Sequence, residues 1–442
     1  MKDWYVALEA GTAGEKERYK READTAKGGK RKVIFLKKRP EERKITERID
    51  QRCRAVFAVL LIVSLSFVLL SGCSESAEFS AEERFSVSEA DLGGLEIAGS
   101  MELSYASEFS VDYLSNGGRL IRISDGSCFL MLPEGTERPE GLADEITVLQ
   151  GPVDRIYLAA SAAMDHFCKM GAMDAVTLTG TKSSGWYIEE VRDAMEEGRL
   201  LYAGKYNMPD YELILREKCA LAVESTMIFH TPEVKEQLED SGIPVLVDYS
   251  SYEQHPLGRS EWIKLYGVLT GHEQEAEAAF QEQADQMETA VRLAKTEPGE
   301  GEKTTAFFYI TSNGAVNVRK SGDYVSKMIE LAGGRYIFDD LGSDDGKATT
   351  TVTIQMEDFY AAAREADYLI YNSTVGGELK TIDQLLGKSE LLEDFKAVKS
   401  GNVYCTGKNM YQETSEAGTM VYDLYQMFSG KEDGMQFLYR LE

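Results

Sequence analysis

The chain contains six cysteines and four histidines, the side chains that most often bind transition metals or carry redox chemistry. No two of the cysteines stand in a C-x-x-C pair. The histidines are far apart along the chain, at His166, His230, His255 and His272. Because a zinc, redox or bare-metal site needs such ligands at close and regular spacing, we predict no metal centre and no cofactor.

Common catalytic motifs are missing from the sequence. It has no G-x-S-x-G turn, no phosphate-binding loop that ends in Gly-Lys-Ser/Thr, and no H-E-x-x-H helix. We therefore predict that the protein is not an enzyme. Pairs of catalytic carboxylates need no such motif, so an extracellular hydrolase stays open as an alternative in a chain this acidic.

Charge is distributed unevenly over the 442 residues, which carry a net charge of −27. Residues 1–72 contain 17 Lys and Arg against 10 Asp and Glu, whereas the chain from Cys73 onward contains 31 against 65. A surface that acidic repels the phosphate backbone of nucleic acids. We therefore exclude nucleic acid as a partner.

Two groups of polar, basic and aromatic residues could bind a bulky anionic solute. Arginine can pair with carboxylate or catecholate oxygens through two hydrogen bonds, and aromatic rings can cover apolar ligand faces. The first group comprises Ser161, Thr181, Lys182, Trp186, Tyr187 and Ser225. The second group comprises Ser312, Arg319, Asn372 and Lys408. The alternative is that Lys182 and Arg319 are solvated charges and that Trp186 belongs to the core.

Both groups follow short apolar runs that alternate with amphipathic segments. Strands are predicted at 155–160, 175–179, 219–223 and 243–247, and again at 304–310, 315–318, 368–371 and 403–405. Helices are predicted at 162–170, 187–196, 211–217 and 232–240, and again at 324–331, 356–364 and 415–428. Further strands are predicted upstream at 102–107, 119–124 and 128–132. Such alternation indicates α/β lobes, in which ligands bind beyond the carboxyl ends of the strands.

A helical region separates the two alternating blocks. A helix is predicted at 259–269, and a second, at 273–295, carries one narrow apolar face on an otherwise charged surface. We therefore predict an α/β fold in which two lobes with mainly parallel sheets are joined by a single long helix. The predicted domains are an N-terminal lobe at 97–255, connecting helices at 256–297 and a C-terminal lobe at 298–442.

The N-terminal region has the pattern of an export signal. Residues 55–70 are an apolar run preceded by Arg52 and Arg54, and Ser71-Gly72-Cys73 follows it. This end resembles the lipobox of bacterial lipoproteins, in which the cysteine is acylated, so the resemblance implies a lipid anchor on Cys73. We predict a charged lead-in at 1–54, which is either disordered or the result of a misassigned chain start. The signal and lipobox are predicted at 55–73, and a flexible tether at 74–96.

From residue 101 to residue 428 the chain resembles the bacterial substrate-binding proteins of iron-siderophore, haem and cobalamin importers. The segments that carry the resemblance are 154–172, 209–223, 241–249, 256–280, 322–334 and 356–372. The resemblance implies two lobes with a ligand cleft between them. It also implies docking on a permease through one acidic residue of each lobe, which by position are Glu212 and Glu357.

The resemblance further implies a monomer on the outer face of the cell membrane, working with the permease and ATPase subunits of an ABC importer. The expected solute is a metal chelate, most of all a ferric siderophore, with haem or cobalamin as alternatives. A surface lipoprotein that binds a host factor is the remaining alternative of another class, because a fold alone does not specify a function.

Overall fold

The computed structural model describes residues 91–298, 301–341 and 351–442. The predicted lead-in, the export signal with Cys73 and most of the tether lie outside the described residues. In the part of the chain that is described, three larger sheets follow one another along the sequence, and two consecutive helices stand between the second and the third sheet.

The first sheet is small and precedes the alternating blocks. Its strands, in spatial order, are β1 (Ile97–Ser100), β2 (Phe109–Leu114), β3 (Arg119–Ile123), β4 (Cys128–Pro133) and β5 (Ile146–Gly151). The pairing is antiparallel except between β4 and β5. Its two faces join different clusters, because side chains alternate across a strand: Val111 packs into the main core, whereas Leu114 belongs to a separate apolar cluster.

One strand prediction in this region is wrong. Residues 102–107 form an irregular segment, because two buried carboxylates take up the N–H groups that a neighbouring strand would otherwise accept. Glu261 accepts from the N–H groups of residues 104–106, and Glu253 accepts from those of residues 107 and 108. The strand next to this segment is β2, which the sequence pattern did not reveal.

The second sheet is wholly parallel and belongs to the first alternating block. Its strands are β6 (Ile156–Leu158), β7 (Val176–Thr179), β8 (Leu201–Tyr202), β11 (Leu221–Ser225) and β12 (Val245–Asp248), in the spatial order β12-β11-β6-β7-β8. A hairpin of β9 (Gly204–Lys205) and β10 (Met208–Pro209) follows β8. The helices are α1 (Met164–Lys169), α2 (Glu189–Glu196), α3 (Tyr211–Arg216) and α4 (Pro232–Asp240). Strands such as β12 are apolar on both faces because both faces of the sheet are covered.

Two consecutive helices, α5 (Pro256–Thr270) and α6 (Glu273–Thr296), connect the blocks. Pro256 opens α5 at a position that needs no N–H, and Gly271 ends it in the left-handed conformation, with φ of 75°. Every residue of α5 is buried, whereas α6 buries one stripe that includes Phe280 and Met287. The long helix predicted at 273–295 is therefore α6.

The third sheet is parallel at its centre and antiparallel at both edges. Its main spatial order is β16-β14-β13-β17-β18-β19, and β15 pairs with β13. The strands are β13 (Thr304–Ile310), β14 (Val316–Arg319), β15 (Arg335–Tyr336), β16 (Thr351–Ile354), β17 (Tyr368–Tyr371), β18 (Val403–Thr406) and β19 (Leu438–Arg440). The helices are α7 (Tyr324–Leu331), α8 (Met356–Ala363), α9 (Ser373–Gly376), α10 (Ile382–Leu386), α11 (Lys396–Ser400) and α12 (Ala417–Ser429).

The predicted fold class is confirmed, since two blocks with parallel strands are linked by α5 and α6. One apolar cluster runs through the first sheet, both blocks and the connecting helices. A second cluster lies inside the N-terminal block. The predicted domain boundaries at residues 97, 255 and 298 stay predictions.

Candidate functional site

A pocket of about 450 Å³ lies at the carboxyl ends of four parallel strands in the second sheet. The segments that line it follow β6, β7, β11 and β12, and the β9–β10 hairpin and α5 add further walls. This is the edge of an open parallel sheet at which ligands bind, because the loops there end close together. A volume of this size suits a small solute.

Four of the predicted binding residues line this pocket together: Ser161, Thr181, Lys182 and Ser225. Lys182 also lies near an aromatic ring, with its Nζ 5.4 Å from the centroid of Tyr202. These residues are separated by up to 64 positions in sequence, and the parallel sheet brings them to one place. Their role in ligand binding remains a prediction.

Tyr187 and Lys408 come from different blocks and meet beside the pocket. The Nζ of Lys408 lies 5.5 Å from the centroid of the exposed Tyr187 ring. Next to them, the amide of Gln412 donates to the carbonyl oxygen of Gly185 at 2.7 Å and accepts from the N–H of Tyr187 at 2.8 Å. The segment around Gln412 therefore ties the C-terminal block to the loop that carries Lys182 and Tyr187.

The structure places Trp186 away from the pocket lining. Its side chain is only 1% exposed and packs in the main core, and its Nε1 donates to the carbonyl oxygen of Thr181. The assignment of Trp186 to the cleft is therefore corrected to a core position, because the loop turns the indole inward. The burial of Trp186 supports the alternative interpretation, in which this residue belongs to the core.

In the C-terminal block, Arg319 and Asn372 are buried and contact the same tyrosine. The guanidinium of Arg319 donates to the hydroxyl of Tyr411 and lies 3.5 Å from the carboxylate of Asp323, while Asn372 donates to the Tyr411 hydroxyl at 3.2 Å. Ser312, by contrast, lies in the exposed turn after β13. The structure thus groups two of the four predicted residues of this block around Tyr411.

Several pocket residues were not found from the sequence, and Arg259 and Asp248 are the most notable. Arg259 lies in the first turn of α5, where a cation opposes the helix dipole, and this unfavourable position was the signal that could have revealed it. Both carboxylate oxygens of Asp248 are engaged: one accepts from the N–H of Ser250 at 2.7 Å and the other from the Tyr266 hydroxyl at 2.6 Å. The β9–β10 hairpin adds Lys205 and Tyr206.

The two predicted docking residues are exposed in the first turns of short helices. Glu212 lies in α3 and Glu357 lies in α8. Asp210 caps α3 by accepting from the N–H of Leu213 at 3.0 Å, so Glu212 is not needed for that role. Both positions are accessible to another protein, and docking remains a prediction.

The histidines do not gather into a metal site. Within the described residues, no group of three or more His, Cys, Asp or Glu could hold a metal ion. Burial lowers the pKa of His166 to about 3, so its ring is neutral, and it stacks on Tyr266 at 5.5 Å. The cysteines at 128, 168, 219 and 405 are free thiols. Over the described part of the chain, no helix is long and apolar enough to span a membrane.

Comparison with known proteins agrees with this geometry. The sequence profile of the Periplasmic binding protein family matches residues 169–410, which is more than half of the chain. The chain belongs to this family of binding proteins. The first sheet, which ends at Gly151, precedes the matched region.

Two lipoproteins of Methanocaldococcus jannaschii are similar over most of their length. One is 23% identical over 399 residues, which are 81% of this chain and 89% of the relative. The other is 22% identical over 417 residues, which are 88% of this chain and all of the relative.

Solved structures share the fold at low sequence identity. A periplasmic haem-binding protein of Vibrio cholerae is 19% identical, with a TM-score of 0.50 over 62% of this chain and 99% of its own. A periplasmic haem-binding protein of Pseudomonas aeruginosa is 15% identical, with a TM-score of 0.51 over 65% and 95%. A periplasmic binding protein of Veillonella parvula is 17% identical, with a TM-score of 0.51 over 62% and 91%.

Proposed function

We propose that the protein is the solute-binding lipoprotein of an ABC importer, anchored through acylated Cys73 on the extracytoplasmic face of the cell membrane. In this role it binds a metal chelate, most of all a ferric siderophore, and delivers it to the permease, whose transport the ATPase subunits drive. Membership of a family of binding proteins, and not of enzymes, supports this role.

The observation that carries the proposal is the pocket at the carboxyl ends of the parallel strands. Its wall combines the cations Lys182, Lys205 and Arg259 with the phenol of Tyr206 and the thioether side chain of Met227. Cations attract an anionic chelate, while aromatic and thioether groups cover the apolar parts of the same ligand. A bulky chelate presents both kinds of surface.

Haem is the second candidate solute, because the side chain of Tyr206 lines the pocket and a tyrosine oxygen can serve as an axial ligand of haem iron. Haem-binding proteins with the same fold support this candidate. Cobalamin is the third candidate solute. An extracellular hydrolase and a surface lipoprotein that binds a host factor are the alternatives of another class.

The test is a ligand screen on the full-length chain in detergent, with a ferric tricatecholate chelate, a ferric trihydroxamate chelate, haem and cyanocobalamin. A solute at 100 times its dissociation constant should stabilise the folded state by about 2.7 kcal/mol, which a thermal shift detects. Saturable stabilisation by one chelate or macrocycle is the expected result. Binding of none of them, together with a protein that stays unacylated at Cys73, would refute the proposal.

A further inference from the structure

A short segment of the C-terminal block, residues 412–416, contacts the N-terminal block immediately before α12 begins. The side chain of Gln412 donates to the carbonyl oxygen of Gly185, in the loop after β7, at 2.7 Å. The hydroxyl of Thr414 donates to the carbonyl oxygen of Ala162, in the loop after β6, also at 2.7 Å. Gly185 and Ala162 both line the pocket, so this segment, which we call the strap, holds two pocket loops at once.

The strap is anchored on a buried carboxyl group. Asp165 of α1 is 1% exposed, and one of its oxygens accepts from the N–H of Ser415, at 3.1 Å, and from the hydroxyl of the same residue. Less than one helical turn separates Asp165 from Ala162, which also binds the strap. Beside this contact, Lys169 of α1 pairs with Glu416 of the strap. The anchor and the pocket loop are therefore held by the same five residues of the C-terminal block.

The surroundings of Asp165 disfavour its negative charge. Burial raises the pKa of its carboxyl group from 3.8 to about 7. The hydrogen bond from Ser415 and the charge of Lys169 lower this pKa, whereas the carboxylates of Glu413 and Glu416 raise it. Burial also raises the pKa of Glu413, so its charge adds to the same repulsion as the pH rises.

The other titratable groups near α1 keep one charge state around neutral pH. The ring of His166 stays neutral, because burial and the charge of Arg259 on α5 lower its pKa. Burial raises the pKa of the Cys168 thiol, which therefore stays protonated. On α6, which also packs on α1, the uncharged amide of Gln283 donates to Glu416 at 2.9 Å.

We propose that Asp165 is a positioning residue whose charge sets how firmly the strap holds the pocket loops. The proposal rests on the proposed function, whose pocket the strap regulates. When the strap opens, water reaches Asp165 and its carboxyl group regains the acidity of an exposed aspartate. The closed strap is therefore fully stable below about pH 4 and is weakened as the pH rises to about 7. The pocket should release its solute faster at neutral pH than at mildly acidic pH.

The experiment compares the wild type with Asp165→Asn in the full-length chain, because asparagine keeps an oxygen acceptor for Ser415 but does not titrate. The release rate of a ferric tricatecholate or of haem is measured for both proteins at about pH 5.5 and about pH 7.5. The ratio of the wild-type rate to the variant rate cancels the titration of the probe itself. This ratio should rise by about 10- to 30-fold between the two pH values, since the pKa of Asp165 is about 7 with the strap closed and near 3.8 with it open. With the exposed Asp193→Asn on α2 as the control, the ratio should not change.

Hydrogen exchange tests the strap without any solute. The protection of the amides of residues 412–416, corrected for their intrinsic exchange rates, reports how often the strap opens. In the wild type this protection should fall by about 10- to 30-fold between the two pH values, whereas in Asp165→Asn it should stay within about twofold. An equal fall in both proteins would overturn the proposal.

A second variant decides the matter if Asp165→Asn does not fold. Thr414→Val removes the hydrogen bond to Ala162 and keeps the shape of the side chain. It should release the probe about 5-fold faster at both pH values, because one hydrogen bond between the strap and a pocket loop is lost. Unchanged release would overturn the role of the strap.

The outcomes also separate this proposal from the proposed function. A wild type that binds a probe, with a ratio of release rates that does not change with pH, would overturn the role of Asp165 and leave the proposed function intact. A wild type that binds none of the probes would remove the proposed function, and hydrogen exchange would still decide whether Asp165 controls the strap.

Discussion

Buried ionisable side chains have partners inside the protein in the C-terminal block but not always in the N-terminal block. In the C-terminal block, Arg319 has Asp323 and Tyr411 beside it, and so its charge is compensated inside the protein. In the N-terminal block, by contrast, both carboxyl oxygens of Glu224 lack a hydrogen-bond partner among the described residues. A compensated buried charge holds a fold together, whereas a buried ionisable group without a partner is a candidate for a response to pH.

The largest expected effect comes from breaking the compensated pair. Arg319→Gln leaves the carboxylate of Asp323 buried, and we expect the free energy of unfolding to fall by about 3–5 kcal/mol, measured by urea denaturation. The exposed Arg192→Gln serves as the control. If Arg319→Gln unfolds at the wild-type urea concentration, the contrast between the two blocks does not hold.

The second prediction concerns Glu224, the buried carboxyl group without a hydrogen-bond partner among the described residues. Burial raises the pKa of its carboxyl group from 4.5 to about 8, so its contribution to stability is fully present below about pH 4.5 and is lost as the pH rises through 8. Above pH 8, Glu224→Gln should therefore be the more stable protein, by up to about 5 kcal/mol, and near pH 4 the two should be alike.

Urea denaturation at pH 4.5 and at pH 8.5 measures this difference. The exposed Glu236→Gln, on α4, is the matched control and should show no such change with pH. Equal stability of the Glu224 variant and the wild type at pH 8.5 would mean that the carboxylate has a partner in solution.

A smaller effect is expected from Gln412, which joins the blocks beside the pocket. Gln412→Ala removes the hydrogen bonds to Gly185 and Tyr187 and should cost about 1–2 kcal/mol of solute affinity, seen as faster release. The exposed Gln274→Ala on α6 is the control. Unchanged release would show that the pocket does not depend on this contact.

The smallest expected effect on affinity is that of the docking residues. The double variant Glu212→Gln/Glu357→Gln should abolish uptake in cells that contain the importer, while solute affinity stays within about twofold, because neither side chain lines the pocket. Glu233→Gln/Asp358→Asn removes two other exposed carboxylates in first helical turns and should transport normally. Lost affinity would instead point to a role in folding.

Sequence periodicity predicted the long-range plan of the fold because apolar spacing reflects burial. The predicted ranges 304–310, 324–331 and 368–371 coincide with β13, α7 and β17. The first sheet was only partly predicted, since its strands pair with one another through hydrogen bonds that local patterns do not encode. The segment 102–107 was mistaken for a strand for the same reason.

The candidate site was predicted in part. Ser161, Thr181, Lys182 and Ser225 line the pocket because the rule for parallel strands places their loops at one edge. Trp186 was wrongly assigned to the cleft, and Arg259 was not predicted to line the pocket. The direction of a side chain depends on the conformation of its loop and on the residues that pack beside it.

An α/β fold with two blocks and a long connecting helix follows from the order of residues alone, because buried positions in helices and strands recur at regular spacing. The pairing of buried charges does not follow from it, because Arg319 and Tyr411 are 92 residues apart in the chain and meet only in the folded protein. Electrostatic compensation depends on distances of a few ångströms between such residues, and no local pattern encodes those distances.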